Sequence, residues 1–213
     1  MNTTRHHEAG QAAPLYITAV AGLLFLALVF FAFGQADVAR NGTQAAADAA
    51  ALSAARESRD QFADGFLQSI LDPDFLEEVF NGDFIGTANG CGAAAHYAGQ
   101  NRANVQNCHW AADGRWGFTV EVKSQEAMGT SIIEGTDKAH AQAEATAVVE
   151  PRCTFEGNDQ DDKPEDGGNG GSAAAPVSPG KLVCEGETWD IDPENLDLLP
   201  DVSDLFTVRL AED

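Results

Sequence analysis

Between Leu15 and Phe33 the chain reads LYITAVAGLLFLALVFFAF, without a single charge. Its only polar side chains, Tyr16 and Thr18, stand at the leading end. Nineteen residues of α-helix span roughly 28 Å, close to the ~30 Å of bilayer hydrocarbon. Pro14 sits just ahead of the run, where a first-turn residue needs no N–H. The run is apolar on every side for nineteen residues, which makes a buried core helix the poorer reading. It reads as a membrane-spanning helix, and everything after it must lie on one side of a membrane.

A cleaved signal peptide is the competing reading, because Ala32-Phe33-Gly34 places small residues where a signal peptidase reads. The run exceeds the usual h-region, and Phe30, Phe31 and Phe33 crowd that site, so a retained span is the better fit. Arg5 before the span and Arg40 after it nearly balance the positive-inside rule. The cysteines decide the orientation. Cys91, Cys108, Cys153 and Cys184 all follow the span, an even count that suits an oxidising compartment. The amino terminus is therefore placed in the cytoplasm and the bulk of the chain outside. Of the three pairings open to four cysteines, the sequence-local pairs Cys91–Cys108 and Cys153–Cys184 are favoured.

Formal net charge is -22, and nearly all of it falls after residue 60. Residues 61–213 hold 29 acids against 8 bases. Such a segment should repel nucleic acid and anionic lipid head groups, so no nucleic-acid partner is expected.

After a polar tail the span continues into QADVARNGTQAAADAAALSAARESRD, Gln35 to Asp60, rich in the best helix former. Asn41-Gly42 marks a candidate hinge. Gly34, Val38, Gly42, Ala46, Ala50 and Ala54 recur every fourth residue, a stripe of small side chains along one helix face. Such stripes let a second helix backbone approach closely, so this face is the candidate packing site for partner helices. Apolar spacing in 61–80 predicts two short helices broken at Asp72-Pro73, with Asp72 or Asp74 as cap. Residues 93–105 read as a short helix and Trp116 to Val122 as a half-buried strand. Ala139 to Val149 has helical composition but strand alternation, and a strand is favoured. Thr130 to Ile133 is too short to assign. Residues 156–181 are acidic and rich in Gly, Ser and Pro, a flexible insert with nothing to fill a core. Residues 182–213 return to order, with strands over LVCEG and FTVRL around an acidic loop carrying apolar pegs.

The chemistry-bearing motifs are absent or fail on spacing. Residues 81–95 are Gly-rich without the lysine of a phosphate loop. The acids from Asp190 to Asp204 put Asn195 where a calcium loop needs glycine and Asp201 where it needs glutamate. Cys91, His96, Cys108 and His109 have the residue types of a zinc site, but a disulfide is the better use of both cysteines outside a cell. His6-His7 are adjacent on a tail, a poor metal pair. No G-x-S-x-G occurs, and His96, His109 and His140 lie in no nucleophile motif. No catalytic residue, cofactor or metal site is assigned, and the chain reads as a non-enzyme.

Gly10 to Arg56, and within it Arg40-Asn41-Gly42-Thr43-Gln44-Ala45-Ala46-Ala47-Asp48-Ala49-Ala50-Ala51-Leu52, resembles actinobacterial TadE/TadG-like proteins of Flp (Tad) pilus assembly. The likeness covers about a quarter of the chain. More faintly, AAAHYAGQNRANVQNC followed by GFTVEV is similar to a helix-then-strand segment of their outer domains. The resemblance implies a pseudopilin-like or minor-pilin component on the outer face of the plasma membrane. Its partners would be the membrane and other pilus-assembly or pseudopilin-like proteins, met through the N-terminal helix. Some members are processed after a glycine that Gly10 matches, which makes Gly10-Gln11 the candidate processing site. Five residues on, Leu15 stands where those members carry glutamate, so the implied role is other than a major fibre subunit.

The expected architecture is α+β: a long N-terminal transmembrane helix continuing into an Ala-rich helix, then a small extracytoplasmic domain with a few-stranded antiparallel sheet. Its parts are a cytoplasmic tail (1–14), the span (15–34), an Ala-rich stalk (35–60), an α+β domain (61–155), the acidic insert (156–181) and the domain's closing part (182–213). The alternative to an assembly component is a membrane-anchored module that binds or senses a cation or ligand outside the cell.

Overall fold

One helix, α1 (Ala12–Ser69), carries the first third of the chain and is the spine of everything after it. The computed structural model describes residues 12–82, 84–86, 88–127, 138–158 and 177–212. Gly10-Gln11, Thr130 to Ile133 and the middle of the acidic insert lie outside them. At 1.5 Å per residue the 58 residues of α1 reach roughly 87 Å. The helix runs through Asn41-Gly42 without a break, so the hinge expected there does not form. Alanines on both sides supply enough propensity to carry two poor residues. It also runs past residue 60 and absorbs the first of the two short helices expected in 61–80.

Three further helices follow: α2 (Pro73–Asn81), α3 (Cys91–Gln100) and the single turn α4 (Val202–Leu205). Asp72 caps α2, its carboxylate accepting from Asp74 N at 3.1 Å and Phe75 N at 3.5 Å, with Pro73 in the first turn. The helix expected over 93–105 ends early. Its C-terminal part is β1 (Ala103–Trp110), entered through Arg102 with φ +56°. The sheet is antiparallel, in the order β1, β2 (Gly117–Ser124), β3 (Gln142–Pro151), β7 (Phe206–Leu210). A second, three-stranded antiparallel sheet holds β4 (Cys153–Gly157), β5 (Gly180–Cys184) and β6 (Glu187–Asp190). The expected insert thus yields both its ends to β4 and β5. The architecture is α+β, with one helix near the N-terminus long and apolar enough to cross a membrane, Ala13–Phe31.

The core forms where α1 lies across the four-stranded sheet. Phe118, Val120 and Val122 of β2 point at the helix, as their alternation requires. On β3 the inward positions are Ala143, Ala145, Ala147 and Val149, so alanines of the strand meet alanines of the helix. Small residues on both partners let helix and sheet approach closely, and this is why both segments are alanine-rich. Farther along α1 the spacing widens. Phe62 and Phe66 enter an aromatic cluster with Phe75, Phe80, Phe84, Trp116 and Phe206, ring centroids 5.1–6.5 Å apart. Trp116 Nε1 donates to the buried Ser58 Oγ at 2.9 Å, which satisfies both groups. Asn81 fastens the second sheet to α2: its amide donates to Phe155 O at 2.8 Å and its carbonyl accepts from Phe155 N at 3.1 Å. Disulfides join Cys91 to Cys108, tying α3 to β1, and Cys153 to Cys184, directly across β4 and β5.

Candidate assembly surface on the long helix

The small-residue stripe of α1 divides at Thr43. Ala46, Ala50 and Ala54 are fully buried, and what covers them is this chain's own β3 and α3. They are therefore unavailable to a partner helix. The reason is local: α3 comes so near that a Cβ on Gly90 would overlap the Ala54 carbonyl. The membrane-proximal half is the opposite case. Gly34, Val38 and Gly42 are exposed, Val38 by 73%, and a Cβ added at Gly34 or Gly42 would meet nothing within 4 Å. Before them comes the apolar segment Ala13–Phe31, none of it buried, with Leu15, Leu23, Phe25, Phe30 and Phe31 more than half exposed. Burying a large apolar side chain is worth roughly 1.5–3 kcal/mol, so such a surface requires lipid or protein around it.

Facing the unpartnered half of the helix is the near end of the domain. A groove of about 950 Å3 lies between Phe30, Phe31, Gly34 and Val38 on one side and Arg102 and Glu126 on the other. Its domain wall is made by the α3–β1 turn and the end of β2, pinned together where Gln125 N donates to Arg102 O at 2.8 Å. Thr43 marks the point where helix and domain close on each other. Its hydroxyl is turned back onto Ala39 O at 2.8 Å and satisfied within the helix. Beside it Gln44 Nε2 donates to Glu144 O at 3.1 Å, the first tie between α1 and β3. Sequence reasoning identified the helix side of this groove from its four-residue spacing. Nothing in the sequence marked the opposing wall, whose residues are polar, unperiodic and distant along the chain.

The remaining candidates do not converge. Both cysteines of the Cys91, His96, Cys108, His109 set are spent in a disulfide, and His96 bonds Gln100 at 2.8 Å. Asp192 in the acidic run accepts from Asn195 Nδ2 and Glu194 N, at 2.8 and 2.9 Å, and these bonds hold its carboxyl below the ordinary value. It thus fastens a turn. Among the described residues no group of three or more His, Cys, Asp or Glu is placed to hold a metal ion.

The segment that carries the groove's helix wall also matches a protein-family model. Residues 10–57 match the model of the Flp pilus-assembly TadE/G-like family. Over these residues the chain is similar to the TadE/G-like family. No curated protein and no solved structure matches the chain. The TadE/G-like segment ends at residue 57, within α1, so it contains the apolar run, the exposed small-residue face and the buried alanines, but none of the strands. The likeness is to a family of pilus assembly.

Proposed function

We propose that this chain is a non-enzymatic, single-pass membrane component of a Tad-type pilus-assembly or secretion machine, pseudopilin-like in its helix. The amino terminus lies in the cytoplasm and the α+β domain outside the cell. One observation carries the reading. In a TadE/G-like helix, the chain's own domain covers the small-residue face from Ala46 onward and leaves Gly34, Val38 and Gly42 open beside the membrane. Partner helices of the machine, emerging from the bilayer alongside α1, would dock on that open part. Small residues suit this use, since helix association in a bilayer depends on close backbone packing more than on hydrophobicity. Leu15, in place of glutamate, leaves the span with no charge to anchor it in a fibre, which suits an accessory part rather than the main subunit.

The test is a photo-crosslinking amino acid at Val38 in cells that make the pilus machine. An adduct with another membrane component of the machine is expected, and Gly34→Leu with Gly42→Leu should remove most of it while leaving the domain folded. Absence of any adduct at Val38, or an adduct indifferent to both leucines, would overturn the docking role. Ala46 and Ala50 are unsuited to this experiment, because leucine at either would disrupt the fold itself.

A further inference from the structure

The chain is strongly anionic, yet its cations are unevenly matched. Of the ten lysines and arginines in the described residues, five sit on carboxylates: Arg59 on Asp60, Arg115 on Asp113, Arg152 on Glu185, Lys181 on Glu156 and Arg209 on Glu150, at 2.6–3.0 Å. Arg40, Arg56, Arg102, Lys123 and Lys138 take part in no ion pair among the described residues. Four of these five gather at one end of the domain. Arg40 borders a cleft with Ala141 to Ala143, Arg102 lines the groove facing Phe31, Lys123 precedes the groove residue Ser124, and Lys138 lies three residues before Ala141, whose carbonyl accepts from Ser124 N at 2.9 Å. The acids among them are Asp37 and Glu126, Glu121 and Glu144 oppose each other one pleat from Lys123 on β2 and β3, and residues 128–137, outside the described ones, carry Glu134 and Asp137 in sequence. Counting all six acids against the four cations, this end is two charges negative, so nearly all of the net charge of -22 belongs to the rest of the chain.

Where this end lies follows from the groove. Arg102 and Glu126 share it with Phe30 and Phe31, the last residues of the apolar segment, so the domain reaches back to the level at which the helix leaves hydrocarbon. Arg40 stands nine residues past Phe31, about 13 Å along the axis, a distance that a head-group layer and an extended arginine together cover. Arg102 adds a second observation. It is exposed and held at φ +56°, at a helix end where glycine is the ordinary occupant. A cation is kept there against the backbone preference.

We infer that the membrane-proximal face of the domain rests on anionic lipid, with Arg102, Lys123, Lys138 and Arg40 on head-group phosphates and the acidic bulk turned away. In a chain with almost three acids per base, cations without carboxylates are the exception, and the nearest external anions at this level are phosphates. The inference rests on the membrane-anchor reading of α1 but not on the assembly role.

The test uses the full chain in nanodiscs of phosphatidylcholine, with and without phosphatidylglycerol. Backbone hydrogen exchange is followed at 100–104 and 124–127, with the centre of β2 as the internal standard of folding. Exchange at both segments should slow by about fivefold or more in the anionic discs. The difference should vanish near ~1 M salt, where screening shortens to about 3 Å. It should also vanish in Arg102→Gly with Lys123→Gln and Lys138→Gln. Glycine suits the backbone at 102, so lost protection there is not lost fold. Equal exchange in the two lipids, or slowing untouched by the triple variant, would overturn the inference alone. Slowing that appears only when a partner protein is present would also overturn it and assign the face to protein. A chain that enters neither disc would overturn the anchor reading and this one with it.

Discussion

Two glycines on α1 and its neighbour separate folding from assembly at the scale of single residues. At Gly90 the backbone of α3 meets Ala54 so closely that no side chain fits. Gly90→Ala is expected to lower unfolding stability by about 3 kcal/mol or prevent folding, the cost of overpacking against backbone that cannot move. Gly42, on the same stripe of α1, faces open space. Gly42→Leu should cost nothing and raise stability by up to about 1 kcal/mol, because a better helix former replaces an exposed glycine inside the helix. Urea titration of the two variants, read by tryptophan fluorescence near Trp116, checks both. Equal losses at the two positions would mean that the stripe is one continuous structural face.

Among the elements, α1 does two incompatible-looking jobs because its surroundings change along its length. The same small-residue spacing is exposed next to the apolar segment and buried beyond Thr43. The domain is clasped to the buried half by α3, held through the Cys91–Cys108 disulfide, and by α2, whose start depends on one carboxylate. Asp72→Ala should cost about 1 kcal/mol, the ordinary value of a lost N-cap. Because α2 also carries Asn81, the loss should loosen the second sheet, read as faster hydrogen exchange at Phe155. An unchanged exchange rate there would show that β4 is held by the Cys153–Cys184 disulfide and not by α2. Strand β1 was missed as an element for a physical reason: it is a sheet edge, its exposed residues Asn104, Gln106 and Asn107 carry no alternation, and it opens directly from a helix.

For the whole molecule, two disulfides and one aromatic cluster close a domain in which β7, near residue 210, pairs with β3 beside a helix that began at residue 12. The Cys153–Cys184 link spans 31 residues of sequence, including the acidic insert. Replacing both by serine should cost about 3 kcal/mol, chiefly by freeing the unfolded chain. Thermal unfolding of the variant beside the parent measures it, and a melting point unchanged under both reducing and oxidising conditions would contradict the expectation. Charge is also organised at this scale. Arg102 and Glu126 share the groove beside Phe30 and Phe31, while Arg152, Lys181 and Arg209 are held on carboxylates elsewhere in the domain.

Much was legible without coordinates. Uninterrupted apolarity from Leu15 to Phe33 marks a helix long and apolar enough to cross a membrane, and the helix over Ala13–Phe31 has that length and none of it is buried. An even number of cysteines beyond it pointed to two disulfides. Alternation in Trp116 to Val122 and in Ala139 to Val149 marked the central strands, and in the second the period outweighed an alanine-rich composition. What one dimension withheld was the use of the alanines after Thr43. Alanine is small and mildly apolar on every face, so a helix of alanines carries no sign of which side is buried or by whom. Only the tertiary structure decided that Ala46, Ala50 and Ala54 pack within the chain while Gly34, Val38 and Gly42 stay exposed. It decided equally that Arg40 and Arg102, far apart in sequence, lie at the same end of the domain without an ion pair among the described residues, since a sum of charges has no direction until the chain is folded.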